Sequence, residues 1–147
     1  MKTEAAKCGV EVRKYLKALG VSASVKSKNF SMGDSVDVKL KAIIDPDTYA
    51  LIKTDLRKYQ YGHFDGMTDC YEHSNRNDDI PQTKFLHIGY DWRILDPFVD
   101  RLIDYIKPRL NLRDDFEYRQ VASGIINGTD RWIRWDQVKH LAEEVAA

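Results

Sequence analysis

The side chains best suited to chemistry gather between residues 63 and 87. Cys70 and His73 stand three apart, with His63 and His87 elsewhere in the same stretch. Zinc takes four ligands, or three and a water, and a lone C-x-x-H falls short of that. On a strand, Cys70 and His73 also point to opposite faces, because side chains alternate. A Cys–His nucleophile pair fares no better, since nothing marks Cys70 as a thiolate. Asp65, Asp69, Glu72, Asp78 and Asp79 can gather around Mg2+ or Ca2+, or serve as acid–base pairs. Their spacing is not that of an EF-hand loop. Asp65-Gly66 is more simply a turn before a strand. Asp69 reads best as a carboxylate that hydrogen-bonds the backbone of the Ser31–Ser35 turn. No Walker A loop, dinucleotide fingerprint after a strand or G-x-S-x-G elbow occurs. The expectation is therefore a non-enzymatic protein with no catalytic residue, cofactor or metal.

Two other sets of residues can bind rather than react. Arg131, Trp132, Arg134 and Trp135 form the densest aromatic-basic run in the chain. Trp and Arg are enriched where partners dock, and tryptophans also stack on bases. The competing reading packs both tryptophans under the last helix, but arginines are hard to bury beside them. Lys26, Lys28, Lys39 and Lys41 can make a basic patch on the open face of a hairpin, a surface suited to phosphates. Lysines also keep exposed sheets soluble and blunt edge pairing, which is the commoner reason to find them there.

The elements that must position these groups follow from periodicity. Ala5, Cys8, Val12, Tyr15, Leu16 and Leu19 make an apolar stripe that predicts a helix over residues 3–19, stopped by Gly20. Residues 23–28 and 34–41 alternate, and predict two strands joined by a turn at 29–33. Val25, Val36, Val38 and Leu40 lie on the inner side. Gly33 supplies a permissive backbone, with Asp34 and Ser35 following it. Asp45-Pro46 starts a second helix, with Tyr49, Ile52, Leu56 and Tyr59 as its stripe. Residues 67–73 and 83–90 are expected to be a third and a fourth strand, paired as a hairpin across a polar loop. Asp96-Pro97 repeats the start signal for a third helix, which stops near Pro108. A short helix over 115–126, a turn at Asn127-Gly128 and a last helix capped by Asp136 complete the chain.

The bulk numbers fit one compact domain over residues 1–147. A chain of 147 residues, 43% hydrophobic and 31% charged, is neither disordered nor membrane-spanning. No apolar run approaches the ~18 residues of a membrane helix, so no membrane is expected as a partner, and the N-terminal residues do not read as a signal peptide. Two cysteines make no disulfide framework and read as reduced thiols in a cytosol. Zero formal net charge argues against a DNA mimic, and against a protein held to nucleic acid by bulk charge. The fold class is α+β: a small, mainly antiparallel sheet of about four strands, with three to five helices packed chiefly on one face.

One resemblance adds a setting. Val12-Arg13-x-x-Leu16, then Val25-Lys26-Ser27-Lys28, then the run Ser31-Met32-Gly33-Asp34-Ser35-Val36-x-Val38 are followed by Phe64-Asp65-Gly66-Met67-x-Asp69-x-Tyr71. Over residues 5–73 this order resembles a large polyvalent protein-associated domain of phages and conjugative elements. The family pattern tends to place an aromatic and a glycine-containing turn after the second strand. Here residues 39–44 run on to Asp45-Pro46, and residues 74–147 lie outside the match as an extension completing the same core. The resemblance implies an accessory protein of a mobile element, acting in the bacterial cytoplasm, and transfers no active site. In it Gly33, Asp34, Ser35, Asp65, Gly66 and Asp69 are structural. The role expected first is counter-defence of the anti-CRISPR or anti-restriction type, by binding a host defence protein or nuclease complex through residues 131–135. The alternative is a nucleic-acid-binding module on the lysine face, and a metal-dependent hydrolase around Asp65, Asp69, Glu72 and His73 ranks third.

Overall fold

A computed structural model describes residues 3–146. Met1, Lys2 and Ala147, which the single-domain expectation includes, lie outside the described residues. The architecture is α+β, with five helices, a mixed three-stranded sheet and a separate two-stranded one among the described residues. The elements are α1 (Glu4–Ala18), β1 (Ala23–Phe30), β2 (Gly33–Leu40), α2 (Pro46–Leu56), β3 (His63–Asp65), β4 (Cys70–Glu72), β5 (Phe85–Tyr90), α3 (Trp92–Ile106), α4 (Asp115–Asn127) and α5 (Trp135–Ala146). They divide into two compact units. The first holds Met1–Lys41 and Ile52–Gly89, and the second holds Ala42–Leu51 and Tyr90–Ala147.

In the first unit, α1 begins where Thr3 accepts the Ala6 N–H and ends at Gly20, φ +73°, as its stripe predicts. That stripe (Ala5, Cys8, Val12, Leu16) is buried, as are Val25, Val36, Val38 and Leu40 of the hairpin and Ile52, Leu56 and Tyr59 after it. Each large apolar side chain so buried contributes roughly 1.5–3 kcal/mol. Gly9 of α1 lies against Val25, and Arg13 donates to the Val25 carbonyl at 2.6 Å, so α1 covers the Val25 face of the hairpin. The hairpin register runs from Ala23 opposite Leu40 to Phe30 opposite Gly33. Its turn is therefore Ser31-Met32.

The strand order is β1-β2-β5, which corrects the expected pairing of the third and fourth strands. Residues 67–73 are not one strand. Asp65 accepts the Met67 N–H at 2.9 Å and Asp69 takes a left-handed φ of +56°, so the chain reverses there and β4 pairs back on β3. Strand β5 goes to β2 because its approach is fixed elsewhere. Gln60 and Thr83 form an isolated parallel bridge, Thr83 donates to the Tyr59 carbonyl at 2.8 Å, and the Leu86 N–H donates to the Gln60 side chain. Asp34 then holds the Thr83 hydroxyl at 2.9 Å and the Lys84 N–H at 2.8 Å. At the Ser31–Ser35 turn the side-chain contact is therefore that of Asp34 with Thr83 and Lys84, in place of the one expected from Asp69. Asp69 is exposed in its own turn.

The second unit is helical around Phe98, Leu102, Ile106, Ala122, Ile125 and Val138. Asp45 caps α2 through the Thr48 N–H, as expected. Helix α3 does not start at Asp96-Pro97. Asp91 caps it by accepting the Arg93 N–H at 3.0 Å, and Pro97 sits inside the helix. Pro97 has no N–H for the Arg93 carbonyl, and both residues are exposed, so water can serve that oxygen. Helix α5 starts at Trp135, one residue before the expected cap. Asp136 is in its first turn, and the Gln137 side chain accepts the Arg134 N–H at 2.8 Å instead. Helix α4 spans Asp115–Asn127 behind an Asp114 cap. The Gly124 carbonyl accepts the Thr129 and Asp130 N–H groups, folding the next loop onto the helix end.

Candidate functional site

Pairing and alternation sort the hairpin side chains. Ala23, Val25, Ser27 and Asn29 share a side with Leu40, Val38, Val36 and Asp34, the side that α1 covers. The other side carries Ser24, Lys26, Lys28 and Phe30 from β1, and Lys39, Asp37, Ser35 and Gly33 from β2. Lys26, Lys28 and Lys39 therefore do share one open face, all exposed. Asp37 stands directly opposite Lys26 and pairs with Lys28 at 3.8 Å, which tempers the positive field. Lys41 is exposed just past the strand end, where its N–H bonds the Ser22 carbonyl.

The face also carries rings that the lysine pattern did not announce. Phe30 stacks on Phe85 with centroids 6.3 Å apart and planes 19° apart. Phe85 stacks on His87 at 6.1 Å and 8°. Phe85 and His87 alternate along β5, so the row Phe30, Phe85, His87 lies on the same side as the lysines. Tyr71 of β4 meets Phe85 edge-on at 5.6 Å, and Lys84 holds its ammonium 5.0 Å from the Tyr71 centroid and 5.5 Å from that of Phe85. Such contacts favour a cation over an aromatic face. Burial, with Tyr61 next to it, pushes the Tyr71 phenol up to about 12. It stays a donor and bonds the Lys84 carbonyl at 2.5 Å.

Two glycines make this arrangement possible. At Gly33, φ +149°, a Cβ would come within 2.6 Å of the Lys84 side chain, which donates to the Met32 carbonyl at 2.9 Å. At Gly62 a Cβ would sit 1.9 Å from the Glu72 carbonyl oxygen, so only glycine lets β3 and β4 close. Gly66, by contrast, faces open space. Ser35, on the same side of the hairpin as the lysines, is buried.

The Asp65–His73 group looks different in three dimensions. Asp65 is engaged in its own turn, and Asp69, Cys70, Glu72, Asp78 and Asp79 are exposed. His63 shares a 2.7 Å hydrogen bond with Ser74, and His73 stacks on Tyr61 at 5.2 Å. Among the described residues, no three His, Cys, Asp or Glu side chains come together to hold a metal ion. Beside them, a cleft of about 410 Å³ is lined by Glu4, Asp34, Tyr61, Arg76, Asn77 and Gln82, among others. Its polar groups are largely spent on structure. Gln82 bonds the Lys58 and Asn75 carbonyls and the Asn77 N–H, and Arg76 lies 5.1 Å over the Tyr61 ring while pairing with Asp78.

In the second unit the aromatic-basic run separates. Trp132 is 80% exposed, and Arg131 and Arg134 are exposed on either side of it. Asp130 accepts the Trp132 and Ile133 N–H groups, both at 2.8 Å, so the Trp132 backbone is held in a fixed turn. Trp135 packs against the core and meets Phe98 edge-on at 5.8 Å.

No family model matches the chain, and neither a curated protein nor a solved structure matches it. None of the helices among the described residues is long and apolar enough to cross a membrane.

Proposed function

We propose that the protein is a non-enzymatic binding protein whose working surface is the open face of β1-β2-β5, and that its ligand is nucleic acid. The observation that carries this reading is the coincidence on one face of three exposed lysines with the ring row Phe30, Phe85, His87. Lysines supply phosphate contacts and rings supply base contacts, and the two together suit nucleic acid better than either alone. Zero net charge means that the local patch, rather than the whole molecule, supplies the attraction. The mobile-element setting that the resemblance implies makes counter-defence in the host cytoplasm the role of such binding, for example by occupying the nucleic acid that a nuclease would use.

Titration by fluorescence anisotropy over a range of salt tests it. Three or four neutralised phosphates give roughly a 20- to 50-fold loss of affinity on a single strand, or about 40- to 150-fold on a duplex, between about 50 and 200 mM salt. Lys26→Glu with Lys39→Glu is expected to abolish most of the binding. Unchanged affinity in that double variant would defeat the reading.

Trp132 favours a second reading, in which a host defence protein or nuclease complex is the partner. A large exposed ring flanked by two arginines is the composition of an interface centre. The two readings separate in an affinity capture from host lysate with and without nuclease treatment. A defence component retained after nuclease treatment, and lost in Trp132→Ala, supports the protein partner. Its disappearance on nuclease treatment supports bridging by nucleic acid.

A further inference from the structure

Resting on the nucleic-acid reading above, we infer that the ligand is single-stranded, with unpaired bases laid on Phe30, Phe85 and His87 and the phosphates running past Lys26, Lys28 and Lys39. Three features of the face point this way. The first is ring orientation. Phe85 and His87 are within 8° of parallel and Phe30 within 19° of Phe85, so the row offers similarly oriented aromatic surfaces. The second is spacing. Successive ring centroids are 6.3 and 6.1 Å apart, nearly twice the roughly 3.4 Å that separates stacked bases along one strand of a duplex. One base per ring therefore requires a strand already pulled out of helical stacking. A duplex keeps its base faces inside, out of reach of any ring on a flat sheet.

The third feature is the order of groups along β1. Lys26, Lys28 and Phe30 alternate onto the same side, so cations lead directly into the ring row. Lys84, poised over Tyr71 and Phe85, closes the row with a further positive charge. Asp37 is the one carboxylate that the hairpin places on this face, between Lys26 and Lys28. It restrains a polyanion that the lysines attract, so Asp37→Asn strengthens binding several-fold on this account.

The test compares a labelled oligothymidylate of about 20 nucleotides with a duplex of the same length, at one fixed salt concentration, using the full chain. The expected result is at least about tenfold tighter binding of the single strand. His87→Ala and Phe30→Ala each weaken single-strand binding about fivefold or more, while the salt dependence is unchanged, because rings release no counterions. Both residues are exposed, so these variants keep the fold, which a thermal melt verifies. Lys26→Glu instead lowers the salt dependence. Equal binding of strand and duplex, or ring variants without effect beside a sensitive Lys26→Glu, overturns the single-strand inference and leaves the nucleic-acid reading standing. Failure to bind either probe overturns both.

Discussion

The two units are stabilised by different means. Among the described residues, the buried side chains of the second, a helical cluster, are apolar, with Phe98, Leu102, Ile106, Ile125 and Val138 sealed from water. The first has an apolar layer between α1 and the hairpin, but its strand order depends on polar side chains. Asp34 holds Thr83 and Lys84, Gln60 holds the Leu86 N–H, and Gln82 ties residue 58 to residues 75 and 77. Among the described residues, no buried side-chain nitrogen or oxygen is left without a partner. Apolar burial is strong but undirected, whereas hydrogen bonds are weaker and specify position. The polar unit is accordingly the one that carries a shaped, side-chain-bearing face.

The most severe test of this contrast is Phe98→Ala. An emptied aromatic site in a closed apolar cluster costs about 3–5 kcal/mol, read from the denaturant midpoint. A loss below about 1 kcal/mol would break the comparison. Gln82→Ala in the first unit should cost less, about 1–3 kcal/mol, because three backbone groups lose their partner. Its signature is local, with faster hydrogen exchange at the Asn77 amide before any global change. Asp114→Ala, which removes the cap from the Glu117 N–H, should cost about 1 kcal/mol and leave the core intact.

The smallest effect at neutral pH comes from Cys8, and it grows with alkali. Burial, helped by the Asp34, Glu4 and Glu11 carboxylates, pushes its thiol from 9.0 up to about 12. Above pH 9 the unfolded chain gives up this proton while the folded one keeps it. The stabilisation is therefore whole below pH 9 and drains away as the pH climbs towards 12. Tyr71 and Tyr90, raised from 10.0 to about 12 chiefly by burial, add to the same decline from a later onset. Melting temperatures measured against pH should begin to fall later in Cys8→Ala than in the parent. A thiol reagent should label exposed Cys70 in the native protein and reach Cys8 only after unfolding.

Where a local signal was strong, the sequence was a good guide. The α1 stripe from Ala5 to Leu16, the alternation of Val36, Val38 and Leu40, the Asp45-Pro46 start and the shared side of Lys26, Lys28 and Lys39 rest on neighbours in the chain and are found, whereas Leu19 is exposed and Lys41 lies past the strand end. The failures share a cause. Asp96-Pro97 mimics a helix start, and only the stronger Asp91 cap five residues earlier shows otherwise. The turn legible at Asp65-Gly66 runs on to Asp69, through residues that read as the start of a strand. Nothing near residue 83 says that β5 will lie beside β2, because the groups that steer it are Asp34 and Gln60, far away in sequence. For the same reason the ring row is not legible in the sequence. Phe85 and His87 alternate plainly, but their neighbourhood with Phe30 exists only once the strand order is known.

The division of the chain has a practical corollary for anyone wishing to dissect the molecule. The segment Ala42–Leu51 groups with the second unit although the first flanks it on both sides. A truncation after Gly89 would therefore leave the Tyr49 ring without Tyr90, which it stacks on at 5.2 Å, and Pro46 without the Gly128 backbone it abuts. No single cut liberates either piece whole. A genetic separation must transplant the inner decapeptide along with the C-terminal helices, or close its gap with a short flexible bridge.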